Sequence, residues 1–299
     1  MKTNNKHILC VISGLVCLAT ILSFTAITEN DNSLNDEGYK LVFSDEFNLP
    51  NGSQPDSTKW KRCRRNPSRW ARWISDSKDV VYIKNGRLVC RAIPNKDLKA
   101  DTAKMLTGAV ETMDLFDFTY GKVEVRMRTN VKSGNSPAAW IRNDPKKHKL
   151  YSEIDIMESF GKKEELFHTI HSQYTVNTPK HGEKNLFKSE INVTKWHIYG
   201  IIWTPTEVIW TIDGKETGRY HKSDVPALLA KGQWTFDQPM FLRLNQSLCN
   251  GKIGQLPDTK TIYTTEFDWI RVYLKNWHNK YSSIRIVIFL KNTLSNCIL

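Results

Sequence analysis

Apolar residues spaced every three to four positions, the mark of an amphipathic helix, are nearly missing from this chain of 299 residues. One candidate helical turn spans Val225 to Lys231. That scarcity removes helical bundles and alternating α/β folds from consideration. No CxxC pair occurs, so zinc-ribbon spacing is excluded. Cys10 and Cys17 fall in the first 28 residues, leaving Cys63, Cys90, Cys249 and Cys297; disulfides and buried free thiols both fit these four. No internal repeat or low-complexity tract is present, which sets solenoid arrays aside.

Negative charge is also in short supply. Lys and Arg number 43 against 31 Asp and Glu, a formal net charge of +12. Much of the excess sits in one stretch: Lys59, Lys61, Arg62, Arg64, Arg65, Arg69 and Arg72 follow one another with no acid between them and with Trp60 and Trp70 interleaved. Such a mixture contacts nucleic acid, or a sugar ring with an anionic substituent, or stays a solvated loop. Signs of export point away from nucleic acid. Lys2 and Lys6 precede the apolar run Ile8 to Ile27, which reads as a signal peptide cleaved near Ala26 or, uncleaved, as a membrane anchor. Lipidation of Cys17 is disfavoured by the bulk of Val16. The expectation is an exported protein, whether secreted, periplasmic or at the cell surface. Its layout is a leader over 1–28, a polar spacer over 29–38, one large domain over 39–275 and a tail of unassigned role over 276–299.

Between spacer and tail, short β-branched and aromatic runs alternate with turn residues, the rhythm of an antiparallel sandwich. Strands are predicted at Tyr39 to Phe43, Val80 to Ile83, Arg87 to Ala92, Gly121 to Arg128, Ala138 to Ile141, Glu153 to Glu158, Phe167 to Tyr174, His197 to Trp203, Glu207 to Ile212, Met240 to Asn245 and Phe267 to Tyr273. Asn85-Gly86 and Asp213-Gly214 are hairpin signals, the second calling for a further strand after Lys215.

The richest stretch is Glu153-Ile154-Asp155-Ile156-Met157-Glu158. Side chains alternate faces along a strand, so Glu153 and Asp155 share one face while Glu158 falls on the other. A one-residue β-bulge at Ile156-Met157 returns Glu158 to the face of its partners. Paired carboxylates on one face suit glycoside hydrolysis, one ionised and one protonated, and a third between them holds their proton affinities apart. The same six residues are compatible with an acidic solvated strand or a calcium site.

The surrounding sequence narrows this. Leu41-Val42-Phe43-Ser44-Asp45-Glu46-Phe47-Asn48, Tyr120-Gly121-Lys122-Val123-Glu124-Val125-Arg126, Pro137-Ala138-Ala139-Trp140, Trp203-Thr204-Pro205, Trp210 with Asp213-Gly214, and Asp268-Trp269-Ile270-Arg271-Val272-Tyr273 occur in this order. Together with the bulged ExDxxE run they resemble glycoside hydrolase family 16, over about Tyr39 to Lys275. That group includes laminarinases, lichenases, agarases, carrageenases and endo-β-galactosidases. The resemblance implies an all-β fold: a two-sheet antiparallel β-sandwich jelly roll of the concanavalin A-like lectin and glucanase type. It also implies an endo-acting, retaining β-glycoside hydrolase working by double displacement. The polymer expected is β-1,3-glucan or a β-linked galactan of keratan, mucin or sulfated type, and the basic stretch favours an anionic one. A lectin-like carbohydrate-binding module without catalysis is the alternative reading.

By the resemblance Glu153 is the nucleophile, Glu158 the general acid and then base, and Asp155 the residue that orients and tunes them; retention needs the two carboxyls about 5–5.5 Å apart. Trp140 is expected to stack on a sugar beside the cleaved bond. His168 and His171 have opposite strand parity, and His171 is the one matched to the cleft. Trp70, Trp73, Asn245 and Gln246 are further candidates for substrate contact, whereas Trp196, Trp203, Trp210 and Trp269 read as core. Glu46, the carbonyl of Gly86 and Asp268 match the positions of a structural calcium ion; no cofactor is expected for catalysis. A monomer is expected, touching membrane only through an uncleaved leader.

Overall fold

A computed structural model describes residues 38–178 and 184–275; the leader and the tail after Lys275 lie outside them. The described residues form β1 (Tyr39–Asp45), β2 (Lys61–Arg62), β3 (Val81–Ile83), β4 (Leu88–Pro94), β5 (Met105–Glu111), β6 (Gly121–Thr129), β7 (Asn135–Asn143), β8 (Ser152–Glu158) and β9 (Leu166–Ser172). There follow the short helix α1 (Gln173–Asn177), β10 (Leu186–Ser189), β11 (His197–Trp203), β12 (Glu207–Ile212), β13 (Lys215–His221), the helix α2 (Pro226–Ala230), β14 (Met240–Leu248) and β15 (Tyr263–Lys275). Among these residues no helix is long and apolar enough to cross a membrane.

Period-2 patterning makes the strands. In β6, Val123, Val125 and Met127 are buried while Lys122, Glu124, Arg126 and Arg128 are not, so one face packs and the other is solvated. Both hairpin signals hold: Asn85 and Gly86 have φ of 53° and 66°, Asp213 and Gly214 of 49° and 78°, the left-handed pair that a two-residue turn requires.

The strands build two antiparallel sheets. A cleft sheet runs β10-β9-β8-β7-β14-β5, with β2 beyond β5; a back sheet runs β5-β4-β15-β6-β11-β12-β13, with β1 on β15 and β3 on β4. Strand β5 belongs to both. Its Gly108–Glu111 segment pairs with β14 and its Met105–Thr107 segment with β4. Its switch point is Gly108, where an added Cβ would lie 1.9 Å from the carbonyl oxygen of Val80. This strand was not foreseen from the sequence.

Between the sheets lies one apolar core. Ile141, Ile154, Ile156, Ile170, Leu242 and Leu244 from the cleft sheet meet Val123, Val125, Tyr199, Ile201, Trp203 and Trp210 from the back sheet. Trp203 and Trp210 are fully buried, and truncating either indole to alanine costs on the order of 3–5 kcal/mol. The opposite face of the cleft sheet is left for function.

Candidate active site

Strand β8 sits between β7 and β9, and both neighbours record an extra residue in it. Trp140 pairs with Asp155 and Ala139 with Met157, while Asp155 faces Thr169 and Glu158 faces Phe167. The bulge therefore lies at Ile156-Met157. A bulge removes carbonyls from the ladder, and buried carbonyls need other donors. Trp210 Nε1 donates to the carbonyl of Asp155 at 2.8 Å, and His168 Nδ1 donates to that of Ile156 at 2.7 Å. The other nitrogen of His168 accepts from Thr217 Oγ1 at 2.9 Å, which assigns a neutral Nδ1–H tautomer. Burial, only partly offset by the bond to Ile156, pushes the His168 pKa down to about 4. His168 is thus a bulge-holding core residue, as its parity required.

With the phase restored, Glu153, Asp155 and Glu158 line one pocket with Arg69, Trp70, Ser136, Ala138, Trp140 and Asn245. His171 on β9 reaches across, its Nε2 3.3 Å from Asp155 Oδ2 and 3.8 Å from Glu153 Oε1. Burial opposes the imidazolium, yet Asp155, Glu153 and Glu158 together outweigh it and hold His171 up to about 9. Tyr151 donates its hydroxyl to Glu153 Oε2 at 2.7 Å. Burial first, and then the charge of Asp155, raise Glu153 above the ordinary carboxylate range, opposed by His171, Tyr151 and Arg142. The same two causes push Glu158 up to about 8 against the pull of Arg69 and His171. Thr169 donates to Glu158 Oε2 at 3.3 Å. The cleft thus holds one carboxylic acid, Glu158, whose proton is retained at neutral pH, beside Glu153 and Asp155, which the His171 imidazole faces, an arrangement suited to acid-assisted displacement.

Aromatic walls flank the acids. Trp140 and Trp70 meet edge to face with centroids 5.0 Å apart, and Arg243 lies 4.8 Å from each ring while pairing with Glu111. Trp140 Nε1 donates to Asn245 Oδ1 at 2.7 Å. This geometry coincides with a family signature: residues 71–271 match the model of glycosyl hydrolases family 16. The chain belongs to that family.

A keratan-sulfate endo-1,4-β-galactosidase of Sphingobacterium multivorum is 29% identical over 280 residues, covering 91% of this chain. The chain spans 62% of that protein's length. A β-glucanase of Rhodothermus marinus is 26% identical over 275 residues, 86% of this chain and 92% of that one. The crystal structure of a non-specific endo-β-1,3(4)-glucanase of the family superposes with a TM-score of 0.69 at 25% identity, covering 81% of this chain and 93% of that one.

Several sequence-based expectations need correction within this family 16 domain. Gln246 faces away from the cleft: it is fully buried, donates to Asn135 and to the Ser247 carbonyl, and accepts from Thr265. Adjacent residues of a strand cannot share a face, and Asn245 occupies the cleft side. Trp73 packs on Ala92, Met105, Leu248 and Tyr263, with Arg72 4.2 Å above its ring, rather than lining the pocket. Trp196 and Trp269 are half-buried beneath arginines instead of in the core, Trp196 under Arg87, Arg126 and Arg128 and Trp269 under Arg271.

The proposed calcium ligands do not fit a calcium ion. Glu46 is engaged by Arg271 through two hydrogen bonds, and Asp268 by Arg126 and Arg87. Both carboxylates therefore already have guanidinium partners that a calcium ion would have to displace.

Nor is the basic stretch a continuous anion surface. Lys59 is bonded to the Ser44 carbonyl, Lys61 to Asp114, Arg62 to Gln54 and two carbonyls, and Arg65 to Asp101. Arg72 holds the carbonyls of Leu248 and Cys249. Only Arg69 of the seven lines the cleft. Cys63, Cys90 and Cys249 are buried free thiols, and Cys297 lies outside the described residues. Tyr151, Ser136 and Arg69 as a cleft residue were not foreseen; they come from segments without strand periodicity or from residues whose role depends on the bulge register.

Proposed function

We propose that this protein is an exported, endo-acting, retaining β-glycoside hydrolase. The observation that carries the reading is the bulge of β8, which sets Glu153 and Glu158 on one cleft face, Glu158 pushed up to about 8 by burial and Glu153 bonded by the Tyr151 hydroxyl and faced by His171. In the first step a Glu153 oxygen attacks the anomeric carbon as its bond to the glycosidic oxygen breaks, and Glu158 gives its proton to that oxygen. In the second, Glu158 takes a proton from water, the water oxygen attacks the same carbon, and Glu153 leaves. Asp155, paired with His171, holds the charge between the two glutamates. Trp70, half-buried in the pocket lining, offers an apolar face to a sugar ring, and the buried Trp140 braces it edge to face. Export rests on Lys2, Lys6 and the apolar run Ile8 to Ile27.

The substrate we favour is a β-linked galactan of keratan type, supported by the relative that aligns over 91% of the chain. A β-1,3-glucan is the second reading, supported by the likeness to the β-glucanase and to the endo-β-1,3(4)-glucanase structure. Product analysis after incubation with keratan sulfate, mucin glycans, agarose, carrageenan, laminarin and lichenan separates the two. Glu153→Gln and Glu158→Gln should each lower the rate of reducing-end release by roughly 10²-fold or more with an unchanged circular dichroism spectrum, and proton NMR should show the β-anomer formed first. Near-normal turnover by either variant would sink the assignment.

A further inference from the structure

Arg69 stands where the chemistry leaves a cation without a counter-ion. Its side chain is 24% exposed, its Nη1 donates to Ser136 Oγ at 3.0 Å, and its Nη2 lies 3.8 Å from Glu158 Oε1. That separation is an ion contact outside hydrogen-bond reach. Among the described residues Glu158 is the one carboxylate within 4.0 Å of Arg69. Yet the first chemical step requires Glu158 to carry a proton, so in the reacting enzyme this largely buried guanidinium faces a neutral acid. A buried cation without an anion nearby is costly, and the guanidinium fork matches sulfate and carboxylate oxygens.

The position is also held rigidly. The carbonyl of Trp70 accepts from Ser247 Oγ at 2.6 Å, Arg72 holds the Leu248 and Cys249 carbonyls, and Ala71 is fully buried. Arg69 is therefore presented to the cleft by a segment clamped to the end of β14.

Because Glu158 protonates the glycosidic oxygen, a group beside Glu158 neighbours the sugar that leaves. We propose that Arg69 is an anion-recognition point on the leaving-group side of the cleft, taking a sulfate ester or carboxylate carried by that sugar. This rests on Glu158 being the general acid. Binding such a group also removes the pull of Arg69 on the Glu158 carboxylate, so an anionic substrate keeps the acid protonated to higher pH. The charged groups facing Glu158 are Asp155 and Glu153 from β8, His171 from β9 and Arg69 itself; of these only Arg69 would be compensated by the substrate.

The test compares kcat/KM on keratan sulfate with its desulfated form, and on a sialylated mucin glycan with its desialylated form. The enzymes are the wild type, Arg69→Met and Arg69→Lys. The wild type should favour at least one anionic polymer roughly tenfold over its neutral counterpart, the factor of a charge-assisted hydrogen bond. The sulfate and sialate arms identify which anion is taken. In Arg69→Met the ratio should fall towards one, and in Arg69→Lys it should be intermediate. The alkaline limb of the wild type should lie higher on the anionic polymer, a difference absent in Arg69→Met. Should Arg69→Met fail to fold, Arg69→Lys carries the comparison, and an unchanged ratio there overturns the inference. Equal wild-type turnover of both members of each pair overturns it alone, whereas full activity of Glu158→Gln overturns the acid assignment beneath it.

Discussion

Acid should loosen this protein through His168, and the size of the effect follows from where the imidazole sits. The ring is completely buried, donates to the Ile156 carbonyl and accepts from Thr217. Its pKa falls from 6.5 to about 4 on folding. The unfolded chain therefore binds a proton between these values that the folded chain refuses, so stability is complete above 6.5 and lost as pH falls towards 4. Integrating the two titrations gives a loss of about 2 kcal/mol at pH 5 and about 3 kcal/mol at pH 4 relative to pH 7. Other groups act in the opposite direction. Glu158, raised to about 8, contributes stability that is fully present below 4.5 and lost as pH rises through 8. A difference measurement isolates His168. Urea unfolding followed by tryptophan fluorescence should be run from pH 7 to pH 4 on the wild type and on His168→Asn, which retains a donor for Ile156 but does not titrate. The stability advantage of the wild type should shrink by those amounts. Parallel curves across the whole range would refute the reasoning.

The pH profile of kcat/KM should be a bell with both limbs displaced upward. Activity should fall as pH rises through about 8, where Glu158 loses its proton, and fall on the acid side at a pH above the ordinary carboxylate range, where Glu153 gains one; an alkaline limb near 4.5 to 5 would refute it. Gln246→Ala should lower stability by roughly 2–3 kcal/mol, because the Asn135 and Thr265 side chains lose a buried partner, while KM is unchanged; a raised KM with normal stability would return Gln246 to the cleft. Chelation with EDTA should leave the melting temperature unmoved, since Glu46 and Asp268 are held by arginines; a fall reversed by added calcium would restore the ion.

Much of the site was legible because strand parity is a strict rule. Glu153, Asp155 and Glu158 share a face only with a bulge at Ile156-Met157, and the register shifts there. Parity also separated His168 from His171. Applied to Asn245 and Gln246 it would have excluded one of them, so that miss came from not using the rule. Charge and aromatic density misled, because composition carries no direction: five of the seven cations between Lys59 and Arg72 are held by partners away from the pocket, and Trp73 covers a subsidiary cluster. The calcium expectation matched residue types whose partners, Arg271, Arg126 and Arg87, lie up to 225 positions away in sequence. Strand β5 was missed because Gly108 interrupts its pattern, and its two halves answer to different sheets.

That divided strand has a mechanical meaning. β14 supplies Asn245 to the cleft and hydrogen-bonds to one half of β5, whose other half is stitched into the back sheet through β4. No opening of the cleft floor can proceed without pulling on the far layer of the sandwich. The two layers share one weld, and the amides of β5 should exchange with solvent only when the whole domain unfolds. Flexibility for admitting a polymer must then come from the loops at the rim.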